Sequence, residues 1–293
     1  MSEHALSGKI ALVTGASRGL GVEVVRQLAA AGASVAAVAR DAAGLADAVA
    51  AAEGARVSPG QRFAAVPADL ADLGSLSDVV ARAIRDCGGD AVDVLVNNAA
   101  YQGPIGVLDA VDFDQWRAVF DVNLFAPVRL CQLVLPGMRR RGRGKIINLS
   151  GGGGTAPRPD FSAYATTKCA IVRLTETLAV ELKGTGIDVN AVAPGAMNTR
   201  MLQETLAAGP GLVRHEYDKA VQQQQSGGAP PAKAAALIAH LASPASDGIS
   251  GRLIAAMWDD WATLAEHKAE LNKSDVYTLR RILPKERGMT WGG

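Results

Sequence analysis

Seven short apolar segments, separated by stretches with helical periodicity, are the feature that most restricts how this chain can fold. Several are apolar at every position, as strands covered on both faces of a parallel sheet must be. Strands alternating with helices form βαβ units, which predict an α/β fold with a single doubly wound, Rossmann-type domain over about residues 7–256 and a parallel sheet of about seven strands. The predicted strands are Ile10–Thr14, Ser34–Ala39, Arg62–Val66, Val92–Asn97, Lys145–Leu149, Ile187–Ala193 and Arg252–Ala256.

The composition fits a packed protein and excludes several other classes. Hydrophobic residues make up 48% of the 293 residues, too large a share for a disordered chain. The 30 Lys and Arg residues against 29 Asp and Glu residues give a net charge of +1, so we expect neither nucleic acid nor a membrane surface as a partner. The basic run Arg139–Lys145 is expected to be the cationic end of a helix.

The cysteines and histidines indicate the compartment and the metal content. Three widely spaced cysteines predict a reduced, cytoplasmic protein, and four scattered histidines predict no metal site. No apolar run approaches the ~18 residues that cross a bilayer, so no membrane span is expected. The residues are Cys87, Cys131 and Cys169, and His4, His215, His240 and His267.

Two regions depart from the alternation of strands and helices. Residues 197–231 contain Gly209–Pro210–Gly211 and a Gly-Gly-Ala-Pro-Pro run, which favour a mobile substrate lid; a poorly ordered loop is the alternative. Residues 257–293 form a C-terminal extension with three of the four tryptophans, Trp258, Trp261 and Trp291. We expect these to pack the extension onto the domain or onto a neighbouring subunit.

A glycine-rich loop joins the first predicted strand to the first predicted helix, 20–31. Glycine lets the backbone turn tightly and approach a pyrophosphate, which the positive end of the following helix favours. In this position of a βαβ unit the loop predicts a dinucleotide site. The expected contacts are Gly15, Ser17, Arg18, Gly19, Leu20 and Gly21.

The end of the second strand indicates which dinucleotide binds. Arg40, with Arg18 in the glycine loop, favours NADP because guanidinium groups bind a 2′-phosphate well. Asp41 follows immediately and favours the ribose hydroxyl of NAD instead. NADP is therefore the preferred interpretation, and NAD is the alternative.

Three motifs resemble those of the short-chain dehydrogenase/reductase family: Thr14–Gly21, Asn97-Asn98-Ala99 and Tyr164-Ala165-Thr166-Thr167-Lys168. The resemblance covers about residues 7–256 and keeps the family's order and spacing. It implies that Asn123, Tyr164 and Lys168 are catalytic and that Asn97 stabilises the central sheet beside the cofactor. The further cofactor contacts that it implies are Tyr164, Lys168, Asp69, Leu70, Asn97, Ala99, Pro194, Gly195 and Thr199.

The spacing of Tyr164 and Lys168 has a physical reason. Residues four apart on a helix share one face. A free phenol has a pKa near 10, and a nearby ammonium together with an oxidised nicotinamide would lower that pKa. Tyr164 would then exchange a proton with the substrate oxygen while hydride moves to or from the nicotinamide.

Asn123 lies in a predicted helical stretch, 113–138, that Pro127 interrupts. Proline has no N–H, so Pro127 cannot donate to the Asn123 carbonyl four residues earlier. Our hypothesis is that this carbonyl holds a water in a proton relay with Lys168. An ordinary proline kink with a core-facing amide is the alternative.

One position departs from the family pattern. A serine usually lies thirteen residues before the tyrosine, where it hydrogen-bonds the substrate oxygen, but here that position is Gly151. Ser150 is our candidate for the missing hydroxyl, with Thr155 or main-chain N–H groups as alternatives. A second departure is Ala100, which stands where the family usually has glycine.

Together these features predict an NAD(P)-dependent oxidoreductase that interconverts the alcohol and carbonyl forms of a small, polar substrate. Two alternatives remain: a cofactor-binding scaffold or regulatory member with weak catalysis, and an epimerase or dehydratase that uses the nicotinamide transiently. The resemblance also implies a homodimer or homotetramer, built partly on the helices that begin near Asp114 and Ser162.

Overall fold

A seven-stranded parallel sheet forms the centre of the chain in a computed structural model that describes residues 4–291. The strands are β1 (Ile10–Thr14), β2 (Ser34–Ala39), β3 (Phe63–Pro67), β4 (Val94–Asn97), β5 (Gly144–Leu149), β6 (Ile187–Ala193) and β7 (Leu253–Ala255). Their order is β3-β2-β1-β4-β5-β6-β7. The chain starts in the middle, runs to one edge and returns to build the other half, so this is the expected doubly wound α/β domain.

Helices cover both faces of the sheet. They are α1 (Leu20–Ala30), α2 (Ala42–Gly54), α3 (Leu76–Asp86), α4 (Phe113–Phe120), α5 (Ala126–Arg141), α6 (Ser162–Glu181), α7 (Arg200–Leu212), α8 (Tyr217–Ser226), α9 (Pro231–Ala242) and α10 (Lys268–Leu271). Helices α1, α2 and α9 share one apolar core with the sheet, and α3, α5 and the end of α6 share the other. Every residue of β1, β2, β4 and β5 is buried, as strands covered on both faces require.

Predicted and observed strand ends agree to within two residues. The predictions for β1, β2 and β6 match the observed bounds. Strand β4 begins two residues later than predicted. The carboxylate of Asp93 there accepts a hydrogen bond from the Ile10 N–H at 3.0 Å and pairs with Arg141 at 2.8 Å. Asp93 thus joins β1 to the end of α5.

One continuous helical segment, Phe113–Arg141, joins α4 to α5 through a π-turn at Asp121–Phe125. Because Pro127 has no N–H, regular i→i−4 bonding fails there, and Ala126 donates to the Asp121 carbonyl five residues back. By length and composition this segment is apolar enough to cross a membrane, contrary to the sequence expectation. However, its residues Leu130, Val134 and Met138 pack in the core against the sheet. Core helices of soluble proteins can be as long and as apolar as a membrane span.

The segment 197–231 is largely helical, although its glycines and prolines were interpreted as signs of a loop. Helix α7 includes Gly209 at a φ of +75°, where the backbone kinks and lets Pro210 begin a new turn. Helix α8 follows after Val213, whose side chain is fully buried. The glycines and prolines taken for loop signals therefore mark bends between helical pieces.

The C-terminal extension is attached to the domain mainly by residues other than its tryptophans. Trp258 and Trp291 are 86% and 68% exposed, so they do not pack onto this domain, and the expected contact with a neighbouring subunit stays a prediction for them. Trp261 does pack, against His240, with its indole N–H donating to the Ala256 carbonyl. Arg252 donates to the main-chain carbonyls of the extension at Leu271, Ser274 and Val276.

Candidate active site

The glycine loop is shaped by two contacts that leave no room for side chains. A Cβ added to Gly15 would lie 2.7 Å from the Ala99 Cα, and one added to Gly21 would overlap the Gly15 carbonyl oxygen. Gly15 also has a φ of +65°. The loop therefore packs directly on the segment after β4, and the position of Ala99 beside it agrees with its predicted place at the cofactor.

Gly19 faces open space, unlike Gly15 and Gly21. A Cβ there would meet nothing within 4 Å, and the φ of +53° suits glycine. Gly19 is also the N-cap of α1, where no side chain caps the helix. The N–H groups of a helix start favour an anion, so the Gly19 cradle fits the pyrophosphate of a dinucleotide. Ser17 and Arg18 flank this opening, and Leu20 is buried beneath it.

Thr14 and Asn98 bind the glycine loop to the segment after β4. The Thr14 hydroxyl accepts hydrogen bonds from the Asn98 and Ala99 N–H groups at 3.0 and 3.1 Å. The Asn98 amide donates back to the carbonyls of Thr14 and Gly15. Sequence reasoning singled out Asn97 and missed Asn98, although its place in the Asn-Asn-Ala motif was a usable signal.

Asn97 points into the core instead. Its amide donates to the Asn148 side chain of β5 at 2.8 Å, and Asn148 donates to the Thr175 hydroxyl of α6 at 2.9 Å. All three side chains are buried. Asn97 thus connects β4 to β5 and α6, which agrees with the expected role in the central sheet.

Two exposed arginines lie at this edge of the sheet, Arg18 in the glycine loop and Arg40 directly after β2. Arg18 and Arg40 are both exposed, and neither guanidinium has a hydrogen-bond or ion-pair partner within residues 4–291. Asp41 behaves differently, because its carboxylate caps α2 by accepting from the Ala43 and Gly44 N–H groups at 3.2 and 3.3 Å. The acid expected to favour NAD is engaged in this cap.

The remaining predicted cofactor residues lie at the carboxyl edge of the sheet. Asp69 and Leu70 follow β3, with Asp69 exposed and Leu70 buried. Pro194 and Gly195 follow β6, and Gly195 has a φ of +92°. Thr199 is the N-cap of α7 but its hydroxyl makes no capping bond. Because carboxyl ends of parallel strands converge at this edge, these residues border the same crevice.

Tyr164 and Lys168 lie on the buried face of α6, as their spacing predicts. The Lys168 ammonium is 5.4 Å from the Tyr164 ring centre and donates to the Leu149 carbonyl at 2.7 Å. Burial lowers the pKa of Lys168 from 10.5 to about 8. Burial also raises the pKa of the Tyr164 phenol, and the charge of Arg158 opposes that rise. The expected lowering of the phenol pKa therefore depends on the charge that an oxidised nicotinamide adds.

The Asn123 side chain is fully engaged within the protein. Its oxygen accepts from the Tyr101 N–H at 2.8 Å, and its amide donates to the Tyr101 carbonyl and the Thr167 hydroxyl. Asn123 is buried and lies in the π-turn before Pro127. Any proton-relay role therefore belongs to its main-chain carbonyl, as the sequence hypothesis specified.

Gly151 is the position nearest to the Tyr164 hydroxyl in the glycine run. A Cβ at Gly151 would lie 3.1 Å from that oxygen. The Ser150 hydroxyl instead donates to the Lys168 main-chain carbonyl at 3.3 Å, and Ser150 is only 3% exposed. This geometry does not favour Ser150 as the substrate's hydrogen-bond donor. Thr155, the other candidate, is exposed.

An apolar cluster packs helices α7 and α8 against Tyr164. Phe161, Tyr164 and Val213 are buried together, with partly buried side chains packed around them from Ala100, Ile105, Met201, Ala208 and Tyr217. A polar contact accompanies them, because the buried Gln102 amide donates to the Thr205 hydroxyl of α7 at 3.3 Å. Ala100, the second departure from the family pattern, thus belongs to this cluster.

Two charged contacts hold the lid to the loop before α6. The Arg158 guanidinium pairs with Glu216 at 2.8 Å. The buried Asp160 carboxylate accepts from the Arg214 N–H at 3.2 Å and lies 3.4 Å from the His215 ring nitrogen. Sequence reasoning missed all of these residues, because partners more than fifty positions apart in irregular segments leave no pattern.

Comparison with known proteins identifies the family. The family model described as short chain dehydrogenase matches residues 9–209, which include the glycine loop and the Tyr164–Lys168 helix. This chain is a short-chain dehydrogenase. It is accordingly an NAD(P)-dependent oxidoreductase acting on a small-molecule alcohol or carbonyl compound.

The relatives of this short-chain dehydrogenase include proteins with several activities. The ketoacyl reductase HetN of Nostoc sp. is 35% identical over 74% of this chain and 73% of its own length. The D-beta-hydroxybutyrate dehydrogenase of Cupriavidus necator is 32% identical over 85% of this chain and 96% of its own. An NAD⁺-bound xylitol dehydrogenase structure aligns with a TM-score of 0.76 at 26% identity, covering 85% of this chain and 98% of that one.

Proposed function

We propose that Tyr164 is the acid–base group of an alcohol–carbonyl oxidoreduction at the carboxyl edge of the sheet. The observation that carries this proposal is the approach of its hydroxyl to Gly151, where a Cβ would be only 3.1 Å away. A substrate oxygen lying along the glycine run is thereby within reach of Tyr164. When bound, NAD(P) supplies or accepts the hydride.

The protein's own groups then move one proton. In the direction of reduction, the Tyr164 hydroxyl donates its proton to the carbonyl oxygen; in oxidation, the phenolate takes the alcohol proton. Lys168 contributes positive charge beside the phenol while it remains bonded to the Leu149 carbonyl. We propose that the Asn123 main-chain carbonyl, next to Pro127, connects Lys168 to a water for proton exchange.

We propose that Ser150 is a positioning residue. Its hydroxyl holds the Lys168 carbonyl against the glycine run, and it thereby sets where α6 presents its catalytic face. The glycine at 151 also supports the alternative of a weakly catalytic, cofactor-binding protein, because no side chain there donates to the substrate oxygen.

NADP is the proposed cofactor, in preference to NAD. Arg18 and Arg40 are exposed beside the glycine loop, while the Asp41 carboxylate is engaged in capping α2. A 2′-phosphate there would accept charge-assisted hydrogen bonds from both guanidinium groups. The other proposed cofactor contacts are those predicted from the sequence, namely Asp69, Leu70, Asn97, Ala99, Tyr164, Lys168, Pro194, Gly195 and Thr199.

The substrate proposed is small and polar. The names of two relatives, a ketoacyl reductase and a D-beta-hydroxybutyrate dehydrogenase, are consistent with an oxo or hydroxy acid derivative. The buried Gln102–Thr205 pair joins the same two segments as the apolar cluster at Tyr164 and supports a polar ligand.

A homodimer or homotetramer is proposed on the surface formed by α4 and α6. Four aromatic side chains follow one another along this helical segment, Phe113, Trp116, Phe120 and Phe125, and Phe113 is 70% exposed. Exposed aromatic patches of this kind are typical of protein interfaces. A cytoplasmic location remains a proposal that rests on the three free cysteines.

The decisive experiment compares the wild type with Tyr164→Phe on a panel of alcohols and ketones, recording both product and NADPH or NADH. Loss of general acid–base catalysis should lower turnover by about 10²–10⁴-fold while cofactor binding is retained. Tyr277→Phe in the C-terminal extension is the matched control. Product formed without net cofactor change would indicate an epimerase or dehydratase, and cofactor binding with no chemistry a scaffold.

A further inference from the structure

Arg158 lies against the catalytic tyrosine. Its guanidinium carbon is 3.9 Å from the Phe161 ring centre and 5.4 Å from the Tyr164 ring centre. Only 16% of its side chain is exposed. A charge in such a position is costly unless it is paired, which makes its partner informative.

That partner is a carboxylate carried by the lid. The Arg158 Nε donates to the two Glu216 oxygens at 3.0 and 2.9 Å, and Nη2 lies 2.8 Å from Oε2. Glu216 therefore fills the guanidinium fork as a bound carboxylate ligand would.

The lid does not depend on this pair for its attachment to the loop. Two residues earlier, the Arg214 N–H donates to the buried Asp160 carboxylate, and His215 lies beside the same oxygen. Val213, itself in the lid segment, is fully buried against Phe161 and Tyr164 as well. The Arg158–Glu216 pair is thus additional to a lid contact that already exists, and it lies at the reaction centre.

Two neighbouring glycines of the run lie against the Tyr164 hydroxyl and against Arg158. A Cβ at Gly151 would lie 3.1 Å from the hydroxyl, and a Cβ at Gly152 would lie 3.6 to 3.8 Å from the Arg158 side chain. Adjacent Cα atoms are about 3.8 Å apart, so a molecule of a few carbons spans both positions.

We propose that Arg158 binds a carboxylate of the substrate and that Glu216 occupies the guanidinium fork until that carboxylate displaces it. The substrates are then short oxo acids and hydroxy acids, held with the oxygen to be reduced or oxidised at Tyr164 and the carboxylate at Arg158. This inference rests on the proposed oxidoreduction at Tyr164. It also gives the glycines at 151 and 152 a use, because they make room for the chain between the two groups.

The test compares reduction of 3-oxobutanoate with reduction of its methyl ester by the NADPH-loaded enzyme. Arg158→Met should lower kcat/KM for the acid about 10- to 100-fold more than for the ester, as expected for a lost charged hydrogen bond. Any loss common to both substrates reports the charge that Arg158 places beside Tyr164. Glu216→Gln should lower KM for the acid, because the competing carboxylate is gone. Arg214→Gln, with an exposed guanidinium in the same lid segment, is the control.

Equal losses for acid and ester in Arg158→Met, or a raised KM for the acid in Glu216→Gln, would overturn the inference and leave Arg158 as a lid contact. If the wild type reduces neither compound, the proposed function is what fails for these substrates. Calorimetry then decides the inference separately: NADP⁺-loaded enzyme should bind butyrate but not butanamide, and Arg158→Met should bind neither. Equal binding of both probes by the wild type would refute it.

Discussion

Restoring a side chain at Gly151 tests the role of the glycine run most directly. The backbone there has no positive φ, so alanine and serine are both compatible with its conformation. An added Cβ meets only one atom within 4 Å, the Tyr164 hydroxyl oxygen, at 3.1 Å. This contact is tight and requires the phenol to move by a few tenths of an ångström. Gly151→Ala adds that displacement alone, and Gly151→Ser adds both the displacement and a hydroxyl.

The two substitutions differ in a calculable way. A displaced catalytic group loses rate steeply, since about 1 Å can cost 10²-fold, so a few tenths should lower kcat about 3- to 5-fold in Gly151→Ala. A serine hydroxyl bonded to the substrate oxygen as charge develops contributes about 1.5–3 kcal/mol, or about 10- to 100-fold. Gly151→Ser should therefore exceed Gly151→Ala by at least about tenfold and equal or exceed the wild type.

The assay is the steady-state reduction of methyl 3-oxobutanoate with NADPH, which avoids any contribution from a substrate carboxylate. Gly54→Ala serves as the control, because its Cβ at the end of α2 would meet nothing within 4 Å and its φ is not positive. If Gly151→Ser and Gly151→Ala have the same kcat, a hydroxyl at 151 does not reach the substrate oxygen, and our placement of the reaction centre beside Gly151 is refuted.

Three further predictions concern the cofactor and the buried charge. Arg40→Ser should raise KM for NADPH about tenfold or more and leave KM for NADH unchanged, and parallel changes in both would contradict the proposed phosphate contact. Burial lowers the pKa of Lys168 from 10.5 to about 8. Between these two pH values Lys168 is a neutral amine in the folded protein and an ammonium in the unfolded chain. The unfolding free energy should rise as pH rises from about 8 to 10.5, and Lys168→Met should lack that rise; an identical pH dependence of the two proteins speaks against it. Gly21→Ala should lower Tm sharply, because its Cβ would overlap the Gly15 carbonyl oxygen. Gly19→Ala fills open space and should cost only about 1–2 kcal/mol of unfolding free energy, because alanine is strained at its positive φ. Similar Tm losses for the two variants would show that the loop is not so tightly packed at Gly21.

Much of the fold follows from the sequence because its strands are buried on both faces. Strands β1, β2 and β6 end where predicted, since each is closed by a residue with a turn or cofactor role. In β6 this holds although Asp188 and Asn190 interrupt the apolar residues. The lid helices were not predicted. Gly209 and Pro210 are strong loop signals, and only the tertiary packing of Val213 and Tyr217 over Tyr164 shows that helices continue through the bend.

The parts of the site that lie in a sequence motif could be predicted, and those that depend only on packing between distant segments could not. The pairing of Tyr164 with Lys168 follows from helical spacing, and the π-turn follows from the missing N–H of Pro127. The direction of the Ser150 hydroxyl does not follow, because a glycine run permits several backbone paths. The Arg158–Glu216 pair could not be foreseen either, since its members are 58 positions apart in irregular segments.

The buried chain of hydrogen bonds Asn97–Asn148–Thr175 fixes α6 to the sheet. Thr175 lies eleven residues beyond Tyr164, about 16 Å along α6, and Lys168 is bonded to β5 between them. Sliding or turning α6 would break both attachments at once. We therefore expect any movement that admits a substrate to fall on residues 197–231 rather than on α6.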